Sequence, residues 1–226
     1  MCSRYSLTSP PDAVRQMFRC SGEDVFPPRY NIAPTDPVLI VRNDLRHNRE
    51  LALVRWGLIP SWVKDPREFA TLINARTETV LEKPSFRASI RHRRCLVPTD
   101  GFYEWTGRPG AKQPHLIRRI GGGLFALAGL WEHWLGADGS ELETMAILTT
   151  ASNADVGHIH DRMPLILSPV DYDRWLDARP GSTEPIIDLL ETPRAGQLET
   201  IAVNPKLNNP RAEGPDLIAP AQLTLR

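Results

Sequence analysis

Residues 38–56 read VLIVRNDLRHNRELALVRW. The stretch opens with a continuous apolar run rich in β-branched residues, at 38–41. A turn rich in Asn, Asp and His separates that run from a second apolar run at 51–56. Two short apolar runs flanking polar turn residues are typical of a β-hairpin. This part of the chain therefore predicts two paired antiparallel strands.

Further short elements surround this hairpin. Strands are predicted at residues 95–97 and 101–105, separated by a Pro-Thr-Asp turn, and at 145–150 and 201–203. A second hairpin is predicted from runs 116–120 and 124–130 across the glycines at 121–123. Short helices are predicted after residues 9–12 and 168–171, and at 77–81 and 85–94, with a break at Pro84. The interleaving predicts an α+β fold in one domain, residues 1–226, whose mainly antiparallel, barrel-like sheet is flanked by short helices.

The overall composition is that of an ordinary globular protein. The chain has 226 residues, 41% hydrophobic and 24% charged, with a formal net charge of zero, so no global charge attracts nucleic acid. No apolar run is long enough to span a bilayer, and the N-terminus lacks the apolar segment of a secretory signal. Three scattered cysteines favour neither a disulfide framework nor a metal site. These features predict a cytoplasmic protein.

One local stretch departs from this charge balance. Arg87, Arg91, His92, Arg93 and Arg94 lie within eight residues that contain no acid. Such a strip can bind phosphates even on a neutral protein, and it can equally be the solvated face of a helix. The residues alone leave both interpretations open.

Cys2 directly follows the initiator Met1. Removal of Met1 would place an α-amine and a thiol two carbons apart, and that pair can close a five-membered thiazolidine ring on an aldehyde. The α-amine has an ordinary pKa of about 7.7–8.0, so a useful fraction is neutral near pH 7. A cysteine at this position can also be an accident of sequence on a frayed terminus.

Six blocks that mix polar residues with aromatics, prolines or small residues recur in order along the chain: MCSRY at 1–5, RYNIAP at 29–34, WGLIPSW at 56–62, INARTET at 73–79, GFYEW at 101–105 and HIHDRMP at 158–164. With the closing VNP at 203–205 and GPDLI at 214–218, this set resembles the SRAP (SOS response-associated peptidase) family. Members of that family become covalently linked to abasic sites in single-stranded DNA. The chain departs from the family pattern at Ser3, usually glycine, and at Val63, often aromatic.

The resemblance implies catalytic roles for four residues. Cys2, freed of Met1, would form the crosslink with the ring-opened abasic deoxyribose, and Glu104 would shuttle protons while its aromatic neighbours raise its pKa. His160 would protonate the sugar oxygen. Asn74 would hold the cysteine and the substrate by hydrogen bonds. Two structural alternatives stay open: a helix cap for Asn74 and a strand-edge ion pair for Glu104.

The same resemblance implies a DNA-binding set that consists of phosphate-binding arginines and channel-lining residues: Arg4, Arg76 and Arg162, with Asn31, Pro34 and Trp62. Arginine can meet a phosphate with two parallel hydrogen bonds, and a tryptophan face can stack on a base. The implied partner is single-stranded DNA containing abasic sites. We expect no metal, no organic cofactor and no membrane contact, and we expect a monomer.

Two other functions are compatible with these residues. Cys2, His160 and Glu104 could form the triad of a cysteine hydrolase, with removal of Met1 by the protein itself as one such reaction. The arginines and Trp62 could instead serve a non-covalent single-strand binding module. Loss of a denaturation-resistant complex in Cys2→Ala separates the covalent function from the binding module.

Overall fold

Short strands joined by tight turns dominate the computed structural model of the protein, which describes residues 2–22, 25–179 and 183–221. In chain order the strands are β1 (Tyr5–Leu7), β2 (Arg29–Ile32), β3 (Pro37–Asn43), β4 (Arg49–Trp56), β5 (Asn74–Arg76), β6 (Arg94–Thr99), β7 (Gly101–Thr106), β8 (Gln113–Arg119), β9 (Phe125–Leu135), β10 (Glu141–Ala151), β11 (Arg162–Pro164), β12 (Ile166–Leu167) and β13 (Leu198–Ala202). The α-helices are α1 (Pro11–Phe18), α2 (Ser89–His92) and α3 (Tyr172–Leu176). Short 3₁₀ segments span Pro169–Asp171, Glu184–Leu190, Pro205–Asn208 and Pro215–Ile218.

The strands form two sheets. The smaller sheet has the order β13-β8-β7-β1-β2 and is antiparallel throughout. In the larger sheet, β4, β3, β6, β9 and β10 pair in succession, and β10 pairs back onto β4, which closes a barrel. The pairings of β10 with β4 and with β5 are parallel. The predicted α+β fold with a mainly antiparallel, barrel-like sheet and short helices is therefore confirmed.

The hairpin predicted from residues 38–56 is confirmed as β3 and β4, which pair from Pro37 opposite Arg55 to Asn43 opposite Arg49. Residues 38–41 are all buried, as a continuous apolar strand requires, whereas Leu53 on β4 is 63% exposed. At the far end of β4, Trp56 packs edge-on against Tyr5 with 5.3 Å between ring centroids. The hairpin thereby joins the barrel to the smaller sheet.

The second predicted hairpin is wrong. The predicted runs do form β8 and β9, but β8 pairs with β7 and β13 whereas β9 pairs with β6, β10 and β12. Gly121, Gly122 and Gly123 have φ values of +80°, +78° and +98°, a region that suits glycine. They carry the chain from one sheet to the other instead of folding it back on itself.

The predicted helices at 77–81 and 85–94 are largely wrong. Residues 77–82 form turns, in which Thr79 N donates to Arg76 O and Glu82 N to Thr79 O, and Arg94 is already in β6. Only α2 is helical in the second segment, and Pro84, which disfavours helix before it, lies between the two predicted helices. The helices after residues 9–12 and 168–171 are present as α1 and α3, although Ser9 binds Asp100 instead of capping α1.

One continuous core fills the barrel and extends to α1 and α3. Its largest fully buried side chains include Trp56, Trp175, Tyr5, Tyr172 and Phe18. Among the described helices none is long and apolar enough to cross a membrane.

Candidate active site between the two sheets

The four residues predicted to be catalytic come from both sheets. Cys2 precedes β1 and Glu104 lies in β7, which are neighbours in the smaller sheet. Asn74 begins β5 and His160 precedes β11, and both of these strands pair with β10 of the barrel. The site therefore lies where the two sheets meet.

Cys2 is completely buried. Its carbonyl oxygen accepts a 2.8 Å hydrogen bond from Asn74 Nδ2, and its Sγ lies 3.8 Å from the carbonyl oxygen of Arg4, to which it donates. Burial raises the pKa of the Cys2 thiol far above its ordinary value, and the negative charge of Glu104 raises it further. Both effects favour the neutral thiol over the thiolate. Met1, whose removal is predicted, lies outside the described residues.

Glu104 is 3% exposed, and its strand β7 lies between β8 and β1. An internal strand rules out the strand-edge alternative. Burial raises the pKa of the Glu104 carboxyl, and the positive charge of His160 opposes that rise. A raised pKa brings a carboxyl closer to the pH at which it can both take up and release a proton, as general acid–base chemistry requires.

The side-chain oxygen of Asn74, Oδ1, accepts no hydrogen bond from the described residues. The Nδ2 of Asn74 is bound to Cys2, whereas its Oδ1 is buried. A buried acceptor without a donor is costly, and a bound group could relieve that cost. Turns and no helix follow Asn74, so its amide is not a helix cap.

His160 is partly exposed, and its Nδ1 has two neighbours. The backbone N–H of Arg162 donates to Nδ1 at 2.9 Å, and Asp161 Oδ1 lies 2.9 Å from the same nitrogen. In the neutral ring, an Nδ1 that accepts from Arg162 leaves the proton on Nε2. In the doubly protonated ring, Nδ1–H faces the Asp161 carboxylate. The surroundings thus provide a partner for both protonation states.

Two of the three predicted phosphate-binding arginines already bind groups of the protein. Arg4 Nη1 donates to Asn31 Oδ1 at 2.6 Å and to Leu207 O at 3.2 Å. Arg162 makes a two-pronged salt bridge to Glu78, at 2.7 and 3.1 Å, and also donates to Thr149 O at 2.6 Å. Arg76 is exposed on β5, and its guanidinium makes no hydrogen bond to any described residue.

The three predicted channel residues differ in exposure. Asn31 is 1% exposed, and its Nδ2 donates to Asn209 O and Ala212 O, so it holds Arg4 against the C-terminal segment. Pro34 is partly exposed. Trp62 is 58% exposed, with Phe69 edge-on at 5.6 Å, which leaves a ring face open to stacking. Val63, where the family often has an aromatic, is buried beside Trp134.

Sequence reasoning did not single out three residues that position this site. Glu78 binds Arg162, Asp161 faces His160, and the Trp105 ring lies 5.6 Å from the Arg4 guanidinium while its Nε1 donates to Asn208. All three lie inside the quoted blocks, so proximity to the chosen residues was the available signal. No group of three or more His, Cys, Asp or Glu in the described ranges is placed to hold a metal ion.

With this geometry, comparison with known proteins is direct. A sequence model described as SOS response associated peptidase (SRAP) matches residues 1–210, and the chain belongs to that family. The chain is 39% identical over 222 residues to abasic site processing protein YoqW of Bacillus subtilis (strain 168), which covers 96% of this chain and 99% of that protein. Abasic site processing protein HMCES of Rattus norvegicus is 30% identical over 276 residues, an alignment that covers 100% of this chain and 78% of that protein.

A solved structure agrees with the fold. The crystal structure of a protein from Bacteroides thetaiotaomicron superimposes with a TM-score of 0.84 at 27% identity, over 97% of this chain and all of that one. The resemblance seen in the ordered blocks is therefore confirmed at the level of the family.

Proposed function

We propose that this protein processes abasic sites in DNA by covalent capture at Cys2. After loss of Met1, the neutral α-amine adds to the aldehyde of the ring-opened deoxyribose, and water leaves to form an imine. The thiol sulfur then bonds to the imine carbon as the S–H proton leaves, and the nitrogen takes up a proton. The product is a thiazolidine, and the only other product is water.

The observation that carries the proposal is the environment of the thiol. A cysteine hydrolase needs a thiolate, and such enzymes lower the thiol pKa with a nearby cation. Here burial raises the pKa of the Cys2 thiol, and the Glu104 carboxylate raises it further. A neutral thiol favours a reaction that begins at the amine and uses sulfur second, so capture is preferred over the hydrolase alternative.

The remaining groups match the steps of this reaction. Glu104 can take the proton from the amine and return it to the departing hydroxyl, because its pKa is raised. His160 can donate a proton to the sugar ring oxygen, which opens the ring to the aldehyde. The unused Oδ1 of Asn74 can accept a hydrogen bond from the amine or a sugar hydroxyl. Abasic sites also enter without the cost of unpairing a base.

Single-stranded DNA is the proposed form of the substrate. Trp62 offers an open ring face for stacking, and Arg76 offers an exposed guanidinium for a phosphate. Base stacking on one aromatic side chain contributes about 1–3 kcal/mol and tolerates any sequence. Arg162 would add a second phosphate contact if a phosphate replaces Glu78.

The test is denaturing gel electrophoresis of the protein with a single-stranded oligonucleotide that carries one abasic site. Wild type and Cys20→Ala, which alters another buried free cysteine, should both give a shifted band, and Cys2→Ala should give none. Cys2→Ser keeps the amine but cannot close the sulfur ring, so its adduct should appear only after borohydride reduction.

A removable N-terminal extension separates this proposal from its alternatives. Protein with the extension in place should not crosslink, and cleavage that exposes Cys2 should restore the band, with the terminus checked by intact mass. Crosslinking with Met1 still attached would contradict the mechanism. Equal binding of abasic and intact strands by every variant, with no stable band, would favour the binding module.

A further inference from the structure

The acid-free strip at residues 87–94 lies at the end of the barrel opposite Cys2. Trp56 ends β4 beside Tyr5, and its Nε1 donates to Ile73 O, next to Asn74. The β3–β4 turn lies at the other end of β4, whose eight residues extend roughly 26 Å at about 3.3 Å per residue. Groups at the turn are therefore too far away to touch a sugar at Cys2.

A cleft of about 740 Å³ opens between this turn, α2, β9 and the segment after α3. We call it the basic cleft, and its basic lining residues are Arg42, Arg46, His47, His92, Arg93, Arg94 and Arg179. The acidic lining residues are Asp44 and Glu50. Adjoining clefts of about 380 and 560 Å³ share His92 and His47 with it and add Arg87, Arg91, Arg19 and Arg49.

Four acids line the basic cleft and its neighbours: Asp44, Glu50, Asp173 and Glu82. Asp173 pairs with Arg49 at 2.6 Å, and Glu82 is exposed beside Arg87 and Arg91. Asp44 accepts the backbone N–H groups of Arg46 and Asn48, each at 2.8 Å, and thereby closes the β3–β4 turn. Glu50 pairs with Arg42 at 2.8 Å. Asp44 therefore stabilises the turn that forms one side of the cleft, and Glu50 fixes the position of Arg42.

Three exposed arginines along the cleft and its neighbour have no such partner. Among the described residues, the guanidinium groups of Arg46, Arg87 and Arg91 make no hydrogen bond or salt bridge. Beneath them Arg94 is 3% exposed and is held by four carbonyl oxygens, with Trp175 and Asp177 at 2.5 and 2.6 Å. Its charge is bonded to carbonyls and to no carboxylate. The three clefts therefore carry more arginines than acids although the whole chain is neutral.

We propose that the basic cleft binds the phosphodiester backbone of a nucleic acid at a second site, away from Cys2. Guanidinium groups donate to phosphate oxygens with matching planar geometry. Three clefts in series suit a polymer of phosphates better than one small anion. The Trp131 ring has Arg42 and Arg93 at 4.3 and 5.9 Å, so stacking on a base would compete with both cations. Contact with backbone alone is independent of sequence.

The choice of nucleic acid as ligand rests on the proposed function, whereas the second site does not depend on the covalent step. A strand or duplex arm that leaves the Cys2 site would reach the basic cleft only when it is long enough to pass along the barrel. Length dependence is therefore the property that distinguishes this site from contacts near Cys2.

The test compares non-covalent binding of two intact single strands, one of about 5 and one of about 30 nucleotides, a range that brackets single-strand site sizes. All proteins carry Cys2→Ala, and the variant adds Arg46→Gln, Arg87→Gln and Arg91→Gln. A matched control instead adds Arg15→Gln, Arg118→Gln and Arg174→Gln, whose arginines are salt-bridged and line none of the three clefts. Both triple variants change the net charge equally.

The cleft variant should bind the long strand about tenfold more weakly at low salt, with its log–log salt slope reduced by about 2, as expected for three lost phosphate contacts. Its affinity for the short strand should equal that of the control. Equal long-strand binding by the cleft and control variants would overturn the proposal, and so would equal weakening on both strands. Pyrophosphate binding that the cleft variant loses, with unchanged DNA binding, would assign the cleft to a free phosphorylated molecule and also overturn it.

The covalent function is scored separately, with Cys2 intact in the same variants. Capture of a short abasic oligonucleotide should proceed at the wild-type rate in the cleft variant. Failure of capture in every protein, with the length effect present, would remove the proposed function and keep the second site.

Discussion

The two ends of the barrel treat polar side chains in opposite ways. At the Cys2 end the reactive groups are enclosed: Cys2 is fully buried and Glu104 is 3% exposed. At the basic cleft Arg46, Arg87 and Arg91 point into solvent. Burial shifts a pKa and so prepares chemistry, whereas exposure leaves charges free for reversible, salt-sensitive contact. Under the two proposals, reaction and long-range attachment are separated along one barrel.

Two buried glutamates provide the sharpest test of this difference. Glu104 lies at the Cys2 end, whereas Glu132, 2% exposed, pairs with Arg93 at 3.0 Å and accepts from Ser89 Oγ at 3.1 Å. Glu104→Gln should slow crosslinking about 10²–10⁴-fold, since a positioned acid–base group contributes about that much. Glu132→Gln should crosslink at the wild-type rate. Single-turnover rates of band formation measure both variants.

The same two variants should move stability in opposite directions. Because burial raises the folded-state pKa of Glu104, its ionisation costs stability as pH rises from its ordinary value through the raised one. Glu104→Gln should therefore melt at a higher temperature than wild type at pH 7, with a smaller difference near pH 4. Glu132→Gln should melt lower, since Arg93 loses its partner. A Glu104→Gln protein that melts lower at pH 7 would contradict this account of the site.

At the basic-cleft end, the buried cation Arg94 should matter for stability and not for crosslinking. Arg94→Met leaves carbonyl oxygens of Ile90, Trp175 and Asp177 without their donor. We expect the free energy of unfolding to fall by about 2–4 kcal/mol, the range for breaking a buried polar network. Urea denaturation measures that change. Folded Arg94→Met protein should still crosslink a short abasic strand. Loss of that activity without loss of stability would contradict the claim that the two ends act separately.

The smallest expected effect concerns Glu78, which holds Arg162 at the rim of the site. The Glu78 carboxylate is 48% exposed, and Arg162 lowers its pKa, so the pair stabilises the fold above the ordinary glutamate pKa and loses that contribution as pH falls. Solvent screening keeps the contribution below about 1 kcal/mol. Glu78→Gln should bind intact single strands about two- to threefold more tightly, because a negative charge beside a phosphate contact is removed. Weaker binding in fluorescence anisotropy would mean that Glu78 orients Arg162 for DNA.

Much of the fold could be predicted because its signals are local. The β3–β4 hairpin, the strand at β10 and the starts of α1 and α3 follow from apolar runs bounded by turn residues. The hairpin predicted across Gly121–Gly123 failed because glycine permits a turn without specifying its partner. β8 pairs instead with β7 just before it and with the distant β13, whereas β9 pairs with β6 and β10, and the glycines between β8 and β9 do not encode that choice.

For the candidate site too, the sequence predicts which residues belong to it but not how they are arranged. Residue type and order in the quoted blocks were sufficient to choose Cys2, Asn74, Glu104 and His160 and to place the chain in its family. Their sequence separations, up to 158 residues between Cys2 and His160, carry no information on distance. The junction of two sheets buries Cys2 and Glu104 together, and burial raises the pKa values on which the proposed chemistry depends.

The strip at residues 87–94 shows the same limit most plainly. The sequence alone shows that this strip is basic. It does not decide between a solvated helix face and a phosphate site. Packing gives these residues different surroundings. Arg94 is buried and donates to carbonyl oxygens, whereas Arg87 and Arg91 are exposed to solvent. Side-chain chemistry is a property of each residue and can be read one position at a time. Burial and proximity are properties of the packed chain, and they arise only when distant strands meet.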